Sequence, residues 1–544
     1  MNNEIVKKWL SSDNVPQTDK DIISKMKNEE LELAFSNAPL SFGTAGIRAK
    51  MAPGTQFLNK ITYYQMATGY GKFLKNKFSN QNISVIVAHD NRNNGIDFSI
   101  DVTNILTSLG IRVYLFENNQ LTSTPIVSYA IRKLNAQGAV IVTASHNPKE
   151  DNGFKIYNET GAQVLPDDGL KVVELMPNVI EMIDLKVTND DSLITYLNED
   201  IFRQYYEDCK QALIKTNINE SKEFSIVFSG QHGTACKRLP EFLKLLGYKN
   251  IILVEEQCIF DGNFSNTPTP NPENRAAWDL SIEYADKNNA NVIIQVDPDA
   301  DRFALGVRYK NSWRFLSGNQ MGIIYTDYIL KNKTFTKKPY IVSSYVSTNL
   351  IDRIIKEYHG EVYRVGTGFK WVGDKINKIK DSEEFVVGFE EAVGALNSTI
   401  NRDKDAYQAA ALALEIYNEC LKNNINIIDH LEKNIYGKYG IIHNDTISFT
   451  FVENNWKELV KNRLDKILKY SEKTIGNRTI TSIKYNEVGG CYDWILDGDS
   501  WLRFRMSGTE PKFKVYYNLY GENLNALSQE AKTINDQIKT LLNL

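Results

Sequence analysis

Cysteine is scarce in this chain, with five in 544 residues. Cys209, Cys236, Cys258, Cys420 and Cys491 are odd in number, scattered, and never spaced as C-x-x-C. This argues against a disulfide framework and a zinc site and points to a reducing cytoplasm. Long apolar runs are missing as well. The strongest, at 138–144 (GAVIVTA) and 291–296 (NVIIQV), fall far short of the roughly 20 residues a spanning helix needs, so they read as buried strands and no membrane partner is expected. Nor is there an excess of basic charge: Lys+Arg total 63 against 67 Asp+Glu, a formal net charge of −4, so nucleic acid is not the expected partner. The opening residues, MNNEIVKKWLS, hold no apolar stretch before small residues, and no secretory signal is expected.

What is present is the composition of a soluble globular protein, 42% hydrophobic and 24% charged. The length predicts roughly three to five domains of about 100 to 200 residues each. Apolar strand-like runs alternate with helix-length periodic segments, which predicts mixed α/β layers. Five of these runs deliver a polar loop: 84–88 into His89-Asp90-Asn91-Arg92, 138–142 into Thr143-Ala144-Ser145-His146-Asn147-Pro148, 226–229 into Gly230-Gln231-His232-Gly233, 292–296 into Asp297, and 385–387 into Gly388-Phe389-Glu390-Glu391. Ligand-handling residues collect at strand ends in open α/β sheets. From about Asp493 the pattern changes to strand, Ser-Gly-Thr loop, strand and helix. Leu524, Leu527, Ala531, Ile534, Ile538 and Leu541 mark one face of that closing helix. The polar stretches 189–199, 331–338 and 422–426 read as surface linkers.

Asp297-Pro298-Asp299-Ala300-Asp301-Arg302 is the most informative segment. Carboxylates at i, i+2 and i+4 in an extended loop can converge on one hard cation, magnesium first, and leave coordination open for a phosphate oxygen. It is not an EF-hand, because Arg302 and Arg308 stand where Gly and a bidentate Glu are needed. Ser145 leaves a buried strand with its hydroxyl well presented, yet Thr143 and Asn147 replace the glycines of a nucleophile elbow. Arg505-Met506-Ser507-Gly508-Thr509-Glu510-Pro511 offers a guanidinium fork, two hydroxyls and a glycine, the parts of an anion cradle. In Gly366-Thr367-Gly368-Phe369-Lys370, Asp374 stands where a P-loop lysine should be, so this is not a Walker motif. Adjacent Glu390 and Glu391 point to opposite sides if extended, so at most one meets a ligand.

Taken in order from Ser41-Phe42-Gly43-Thr44-Ala45-Gly46-Ile47-Arg48 to Arg505–Pro511, these segments resemble the α-D-phosphohexomutase superfamily, which includes phosphoglucomutases, phosphomannomutases and phosphopentomutase-like members. The resemblance implies three similar α/β domains and a smaller α+β C-terminal domain around a central cleft, the fourth mobile. Their expected bounds are 1–195 with the phosphoserine loop, 196–310 with the metal loop, 311–435 with the sugar loop and 436–544 with the phosphate loop. It also implies that Ser145 is the phosphorylated nucleophile and, with Asp297, Asp299 and Asp301, a Mg2+ ligand. Arg48, Lys155, His146 and Lys370 would serve charge stabilisation and acid/base work. Arg302, Gly368, Glu390, Ala392, Arg505, Ser507, Gly508 and Thr509 would hold the substrate. Ala392 stands where many hexose-specific members have Ser, and with Arg402-Asp403-Lys404-Asp405 this is similar to the phosphopentomutase-like branch.

The expected activity is a phosphosugar mutase that moves phosphate between positions 1 and 6 of a hexose, or 1 and 5 of a pentose, through a phosphoserine and a sugar bisphosphate that serves as activator and intermediate. Glucose or mannose phosphates lead. A phosphopentomutase or glucose-1,6-bisphosphate synthase is the near alternative, and a phosphoserine-forming phosphomonoester hydrolase the distant one. The expected partner is a small phosphosugar, and the expected assembly a monomer or homodimer.

Overall fold

The computed structural model describes residues 3–36, 40, 46–79, 81–215, 222–379, 381–453, 455–507 and 511–543. They form two compact units, Met1–Phe315 with Ser398–Ala411, and Leu316–Asn397 with Leu412–Leu544.

The first unit holds two mixed sheets. One contains β1 (Ile47–Lys50), β2 (Ser84–His89), β3 (Arg112–Phe116), β4 (Gly138–Val142), β5 (Asp151–Asn158) and β6 (Ile194–Leu197), in the order β1-β5-β4-β2-β3-β6. The pairs β4–β2, β2–β3 and β3–β6 are parallel, whereas β5 runs antiparallel to β4 and β1. β4 is buried along its whole length, as a continuous apolar run in a parallel layer must be. The helix Lys60–Lys77, whose first turn is capped by the Asn59 side chain on Thr62 N, lays two buried tyrosines against β5. Tyr63 donates to Gly153 O at 2.9 Å and Tyr70 to Tyr157 O at 2.7 Å. Both bonds bracket Lys155, so the helix fixes the strand that carries it. The second sheet contains β7 (Ile226–Ser229), β8 (Ile251–Leu253), β9 (Val292–Val296), β10 (Phe303–Tyr309) and β11 (Ser312–Leu316), in the order β11-β10-β9-β7-β8.

The second unit repeats the theme once and then departs from it. β12 (Lys338–Ser344), β13 (Glu361–Val365), β14 (Glu383–Glu390) and β15 (Gly394–Leu396) form a mixed sheet ordered β13-β12-β14-β15. β16 (Ile441–Thr450), β17 (Thr474–Ile475), β18 (Arg478–Asn486), β19 (Cys491–Leu496), β20 (Trp501–Met506) and β21 (Lys512–Gly521) form a second sheet, ordered β16-β21-β20-β19-β18-β17, in which each recorded pair is antiparallel. Helices Trp456–Leu468 and Leu524–Leu542 cover this last sheet. Leu527, Ala531, Ile534 and Ile538 are buried there as the periodicity requires, and Leu542 joins them while Leu541 is only half-buried. The molecule is therefore three mixed α/β domains followed by a β-rich α+β domain.

Two expectations need correction. The stretch 189–199 is not a plain linker, because its centre is β6, an edge strand paired in parallel with β3. Its side chains are half to fully exposed, and the polar residues on either side of this short edge strand give the stretch its linker-like composition. The Asp297–Arg302 loop is not extended either. Ala300 is left-handed, with φ +53°, and Ala300 N closes a turn on Asp297 O at 2.9 Å.

Candidate active site

β4 ends at Val142 and delivers Ser145, which is only 1% exposed and left-handed at φ +50°. A non-glycine residue keeps that conformation when its surroundings enforce it. The support is a buried network built by Asp90 and Arg92, from the loop after β2. Ser145 N donates to Thr143 Oγ1 at 2.8 Å, and Thr143 Oγ1 donates to Asp90 Oδ2 at 2.6 Å. The Arg92 guanidinium donates to four carbonyls of the loop: Ser145 O and Asn147 O at 2.6 Å, Pro148 O at 2.7 Å and Asp151 O at 2.8 Å. Its Nε faces Asp90 Oδ2 at 3.4 Å. Four N–H groups are thus spent on the loop, while Nε is buried beside Asp90 without a hydrogen-bond partner, so Arg92 serves chiefly to shape the serine loop. Burial pushes the Asp90 carboxyl up to about 6, against the opposing pull of Arg92 and Thr143.

Ser145 Oγ donates to Asp297 Oδ2 at 2.6 Å, which brings the serine of one sheet onto the acidic loop of the other. Carboxylate oxygens of Asp297, Asp299 and Asp301 lie within 4.8 Å of one another, and all three residues are buried. The turn gathers them, since Asp301 N and Arg302 N both donate to Asp297 Oδ1, at 3.1 and 2.9 Å. Asp299 Oδ2 accepts from Thr124 Oγ1 at 2.9 Å and from Lys155 Nζ at 3.2 Å. Asp301 Oδ2 lies 3.1 Å from both Lys155 Nζ and Lys404 Nζ. The other oxygens, Asp299 Oδ1 and Asp301 Oδ1, are buried without a hydrogen-bond partner. Buried polar atoms are rarely left so, and two orphaned carboxylate oxygens beside a serine hydroxyl are the donor set a hard divalent cation takes.

The charges follow from this crowding. Burial, together with Asp301 and Asp299, raises the Asp297 carboxyl well above the carboxylate range. Burial pulls Asp301 the same way, but Lys404, Lys155 and Arg302 overcome it and hold that carboxyl below its usual value. Burial alone would lower the Lys155 amine; Tyr157, Asp299, Asp301 and Asp403 instead hold it well above its ordinary value. His146 Nδ1 sits 3.1 Å from Ser145 Oγ, and burial with Arg302 and Arg48 keeps the imidazole well below its usual range, hence neutral at pH 7. Arg48, on β1, donates to Asn147 Oδ1 at 3.2 Å, and Arg302 pairs with Glu273 Oε2 at 2.6 Å. Ser145, His146, Arg48, Lys155, Arg302 and the three aspartates thus share one neighbourhood.

Two residues of Arg402-Asp403-Lys404-Asp405 join them, which the sequence did not reveal as site residues. Asp403 Oδ2 accepts from Tyr157 Oη and Gln163 Nε2, each at 2.6 Å, and lies 3.9 Å from Lys155 Nζ. Alternating charge was the available signal, but nothing local tied it to Asp301.

In the second unit, two loops read separately from sequence meet. Gly368, at φ +110°, turns its N–H onto Glu390 Oε1 at 2.7 Å. Lys370, in the first turn of the following helix, is 5% exposed, and burial lowers its amine to about 8. Glu391 is used differently, with Oε2 accepting from Ser344 and Ser347 hydroxyls at 2.8 and 3.4 Å. The two glutamates do face different partners. Ala392 is half-buried in the turn that presses Glu391 O and Val393 N against Gly318, where a Cβ would stand 2.3 and 2.6 Å from them. Arg505 is half-buried near the end of β20, and Ser507 is buried with its N on Lys512 O at 2.9 Å. Gly508 and Thr509 lie outside the described residues, as do Ser41 to Ala45.

A buried serine hydroxyl set on a ring of carboxylates, in a field of arginine and lysine, defines a phosphoryl-transfer enzyme. Residues 39–181, 203–310 and 317–434 match, in turn, the phosphoglucomutase/phosphomannomutase alpha/beta/alpha domains I, II and III. The chain is similar to a phosphomannomutase of Mycoplasmoides pirum, 96% identical over 544 residues and covering 100% of both chains. It is 31% identical over 518 residues to a phosphoglucomutase of Staphylococcus haemolyticus, covering 90% of this chain and 92% of that one. In fold it is similar to the open form of pp63/parafusin, a phosphoglucomutase from Paramecium, with a TM-score of 0.70 at 18% identity, covering 93% of this chain and 96% of that one. The chain belongs to the phosphoglucomutase/phosphomannomutase family of the α-D-phosphohexomutase superfamily, and so is an intramolecular phosphotransferase. Among the described residues no helix is long and apolar enough to cross a membrane.

Proposed function

We propose that the protein interconverts hexose 1-phosphate and hexose 6-phosphate, mannose and glucose phosphates foremost, through a phosphorylated Ser145 and a hexose bisphosphate that stays bound between two transfers. The observation that carries this reading is the 2.6 Å bond from Ser145 Oγ to Asp297 Oδ2 beside two orphaned carboxylate oxygens. It sets a hydroxyl where a phosphoryl group on it would meet a cation.

Asp297, Asp299 and Asp301, with an oxygen on Ser145, would hold magnesium, which would neutralise charge on the transferring phosphoryl oxygens. Arg48 and Arg302 add positive charge around Ser145. Neutral His146, with Nδ1 3.1 Å from Ser145 Oγ, flanks the hydroxyl without adding charge, while the Ser145 proton rests on Asp297 Oδ2. The raised amine of Lys155 keeps its proton and acts as a fixed cation against Asp299, Asp301 and Asp403. Lys370, with its amine lowered to about 8, is the lysine whose titration suits taking a proton from an attacking sugar hydroxyl near neutral pH. Glu390 reads sugar hydroxyls from its position on Gly368 N, and Arg505 and Ser507, with Gly508 and Thr509, grip the phosphate that does not transfer. The domain bounds 1–195, 196–310, 311–435 and 436–544 divide these roles.

The test is incubation with Mg2+, a trace of hexose bisphosphate and mannose 1-phosphate, glucose 1-phosphate or ribose 1-phosphate. The expected result is the corresponding hexose 6-phosphate with no release of phosphate. Release of free phosphate matching substrate loss would instead make it a hydrolase, and conversion of the pentose alone would overturn the hexose assignment.

A further inference from the structure

Two cysteines that the reaction does not use meet in the second sheet of the first unit. Cys236 is the second residue of the helix Ala235–Leu245 and is buried. Cys258 follows the short helical turn Glu255–Gln257 and is partly exposed. The two thiols lie close enough for each to shift the other's titration. Both lie against the end of β7: Cys258 Sγ is 3.8 Å from Phe228 O, and Cys236 Sγ is 3.5 Å from Gln257 O, the residue preceding Cys258. Gly230 leaves the room for this meeting, since a Cβ there would stand 2.6 Å from Cys236 Sγ.

The remaining cysteines differ in every respect that matters for reactivity. Cys209, Cys420 and Cys491 are buried, and burial raises their thiols. Burial also raises Cys236, whereas the neighbouring Cys236 thiol lowers Cys258. A partly exposed, acidified thiol beside a second thiol is the arrangement that oxidises first and resolves reversibly.

We propose that Cys258 is a site of reversible oxidation by peroxide, resolved by Cys236 into an intramolecular disulfide. In the first step the Cys258 sulfur attacks one peroxide oxygen, the O–O bond breaks, and the products are a sulfenic acid and one water. In the second, the Cys236 sulfur displaces the hydroxyl from Cys258, and that hydroxyl leaves as water with the Cys236 proton. Peroxide is reduced and the two thiols are oxidised. A small dithiol returns them to thiols by exchange.

The pair is mechanically tied to the metal-holding loop. Thr234, two residues before Cys236, donates its N–H and its hydroxyl to Pro298 O at 2.8 and 3.0 Å. Gly233 sits so close that a Cβ would stand 2.3 Å from Pro298 Cα. Bonding the sulfurs draws the first turn of the helix toward Cys258 and loads the Thr234–Pro298 contact between Asp297 and Asp299. Oxidation is therefore expected to slow turnover, a consequence that rests on the function proposed above; the disulfide itself does not.

The experiment treats the full-length protein, with Mg2+ present, with hydrogen peroxide and maps its peptides without reduction. The expected product links the Cys236 and Cys258 peptides and disappears with dithiothreitol. Without oxidant, Cys258 is expected to alkylate about tenfold faster than the other four cysteines. Turnover of the oxidised protein is expected to fall about tenfold and return on reduction. Cys258→Ser should abolish the link and the response to peroxide, and Cys236→Ala should leave Cys258 as a sulfenic acid trapped by dimedone. A wild-type protein that stays folded and forms no such link, or dimedone labelling of another cysteine first, overturns the proposal. A link with unchanged turnover overturns only the coupling to the metal loop.

Discussion

Replacing Arg92 by lysine tests whether the shape of the serine loop, held from outside it, governs turnover. Arg92 gives four hydrogen bonds to carbonyls of residues 145–151 and faces Asp90 with its fifth N–H. Lysine keeps the charge but has three donors on a single nitrogen, so at least one of the four carbonyls loses its partner and buried Asp90 loses the guanidinium facing it. At about 1–3 kcal/mol for each stranded buried group, the variant should be about 2–4 kcal/mol less stable. That is a substantial part of a domain's stability yet compatible with folding. Ser145 would then relax from φ +50°, and a displacement of about 1 Å at a reacting atom costs about 10²-fold in rate. Urea unfolding and steady-state kinetics on Arg92→Lys read both quantities. The expected pattern is kcat down about 10²-fold with KM for the hexose phosphate within about twofold of wild type. Unchanged kcat would refute the argument. A raised KM at unchanged kcat would show that Arg92 binds the substrate phosphate after all.

Other expectations follow from the same geometry. Lys155→Met strips buried Asp299 of its cation and should cost about 3–5 kcal/mol in metal-free protein, with part of the loss recovered when Mg2+ is added; thermal unfolding with chelator and then with Mg2+ checks this, and an unchanged midpoint without metal would contradict it. Burial favours the neutral Lys370 amine, so its deprotonated form dominates above pH about 8. If Lys370 takes the proton from the sugar hydroxyl, kcat/KM rises with pH to a plateau above about 8, and the step vanishes in Lys370→Met; a fall above that pH would mean the protonated amine is the working form. Asp301→Asn removes one metal carboxylate and leaves Lys155 and Lys404 facing a neutral amide; titrations of turnover should show a weaker requirement met only at higher Mg2+, and an unaltered Mg2+ dependence would argue against the aspartate cluster as the metal site.

What could be read from the sequence was whatever lies close together along it. Thr143 to Pro148 and Asp297 to Arg302 are contiguous and each follows an apolar strand, so both stand out, and the fold brings them together through Ser145 Oγ and Asp297 Oδ2. The clamp on the serine loop was invisible because Arg92 and Ser145 are brought together only when β2 and β4 pair side by side. The same holds for Lys404 on Asp301 and Asp403 on Tyr157, contacts made across long stretches of chain. Composition misled at 189–199, where Ile194 to Leu197 form an exposed edge strand whose polar neighbours masked it. The three carboxylates of the acidic loop do converge, but through a turn where alternating carboxylates suggest an extended chain. Only the left-handed Ala300 shows that a turn, with two backbone N–H groups on Asp297, does the gathering.

The most direct test follows phosphate from a labelled hexose 1,6-bisphosphate into wild-type protein and into Ser145→Ala, with peptide mapping and product analysis on the same samples. The account predicts label on the peptide holding Ser145 in the wild type, none in the variant, and loss of hexose phosphate interconversion with it. Interconversion by Ser145→Ala at the wild-type rate, or label on a different residue of the wild type, would contradict it.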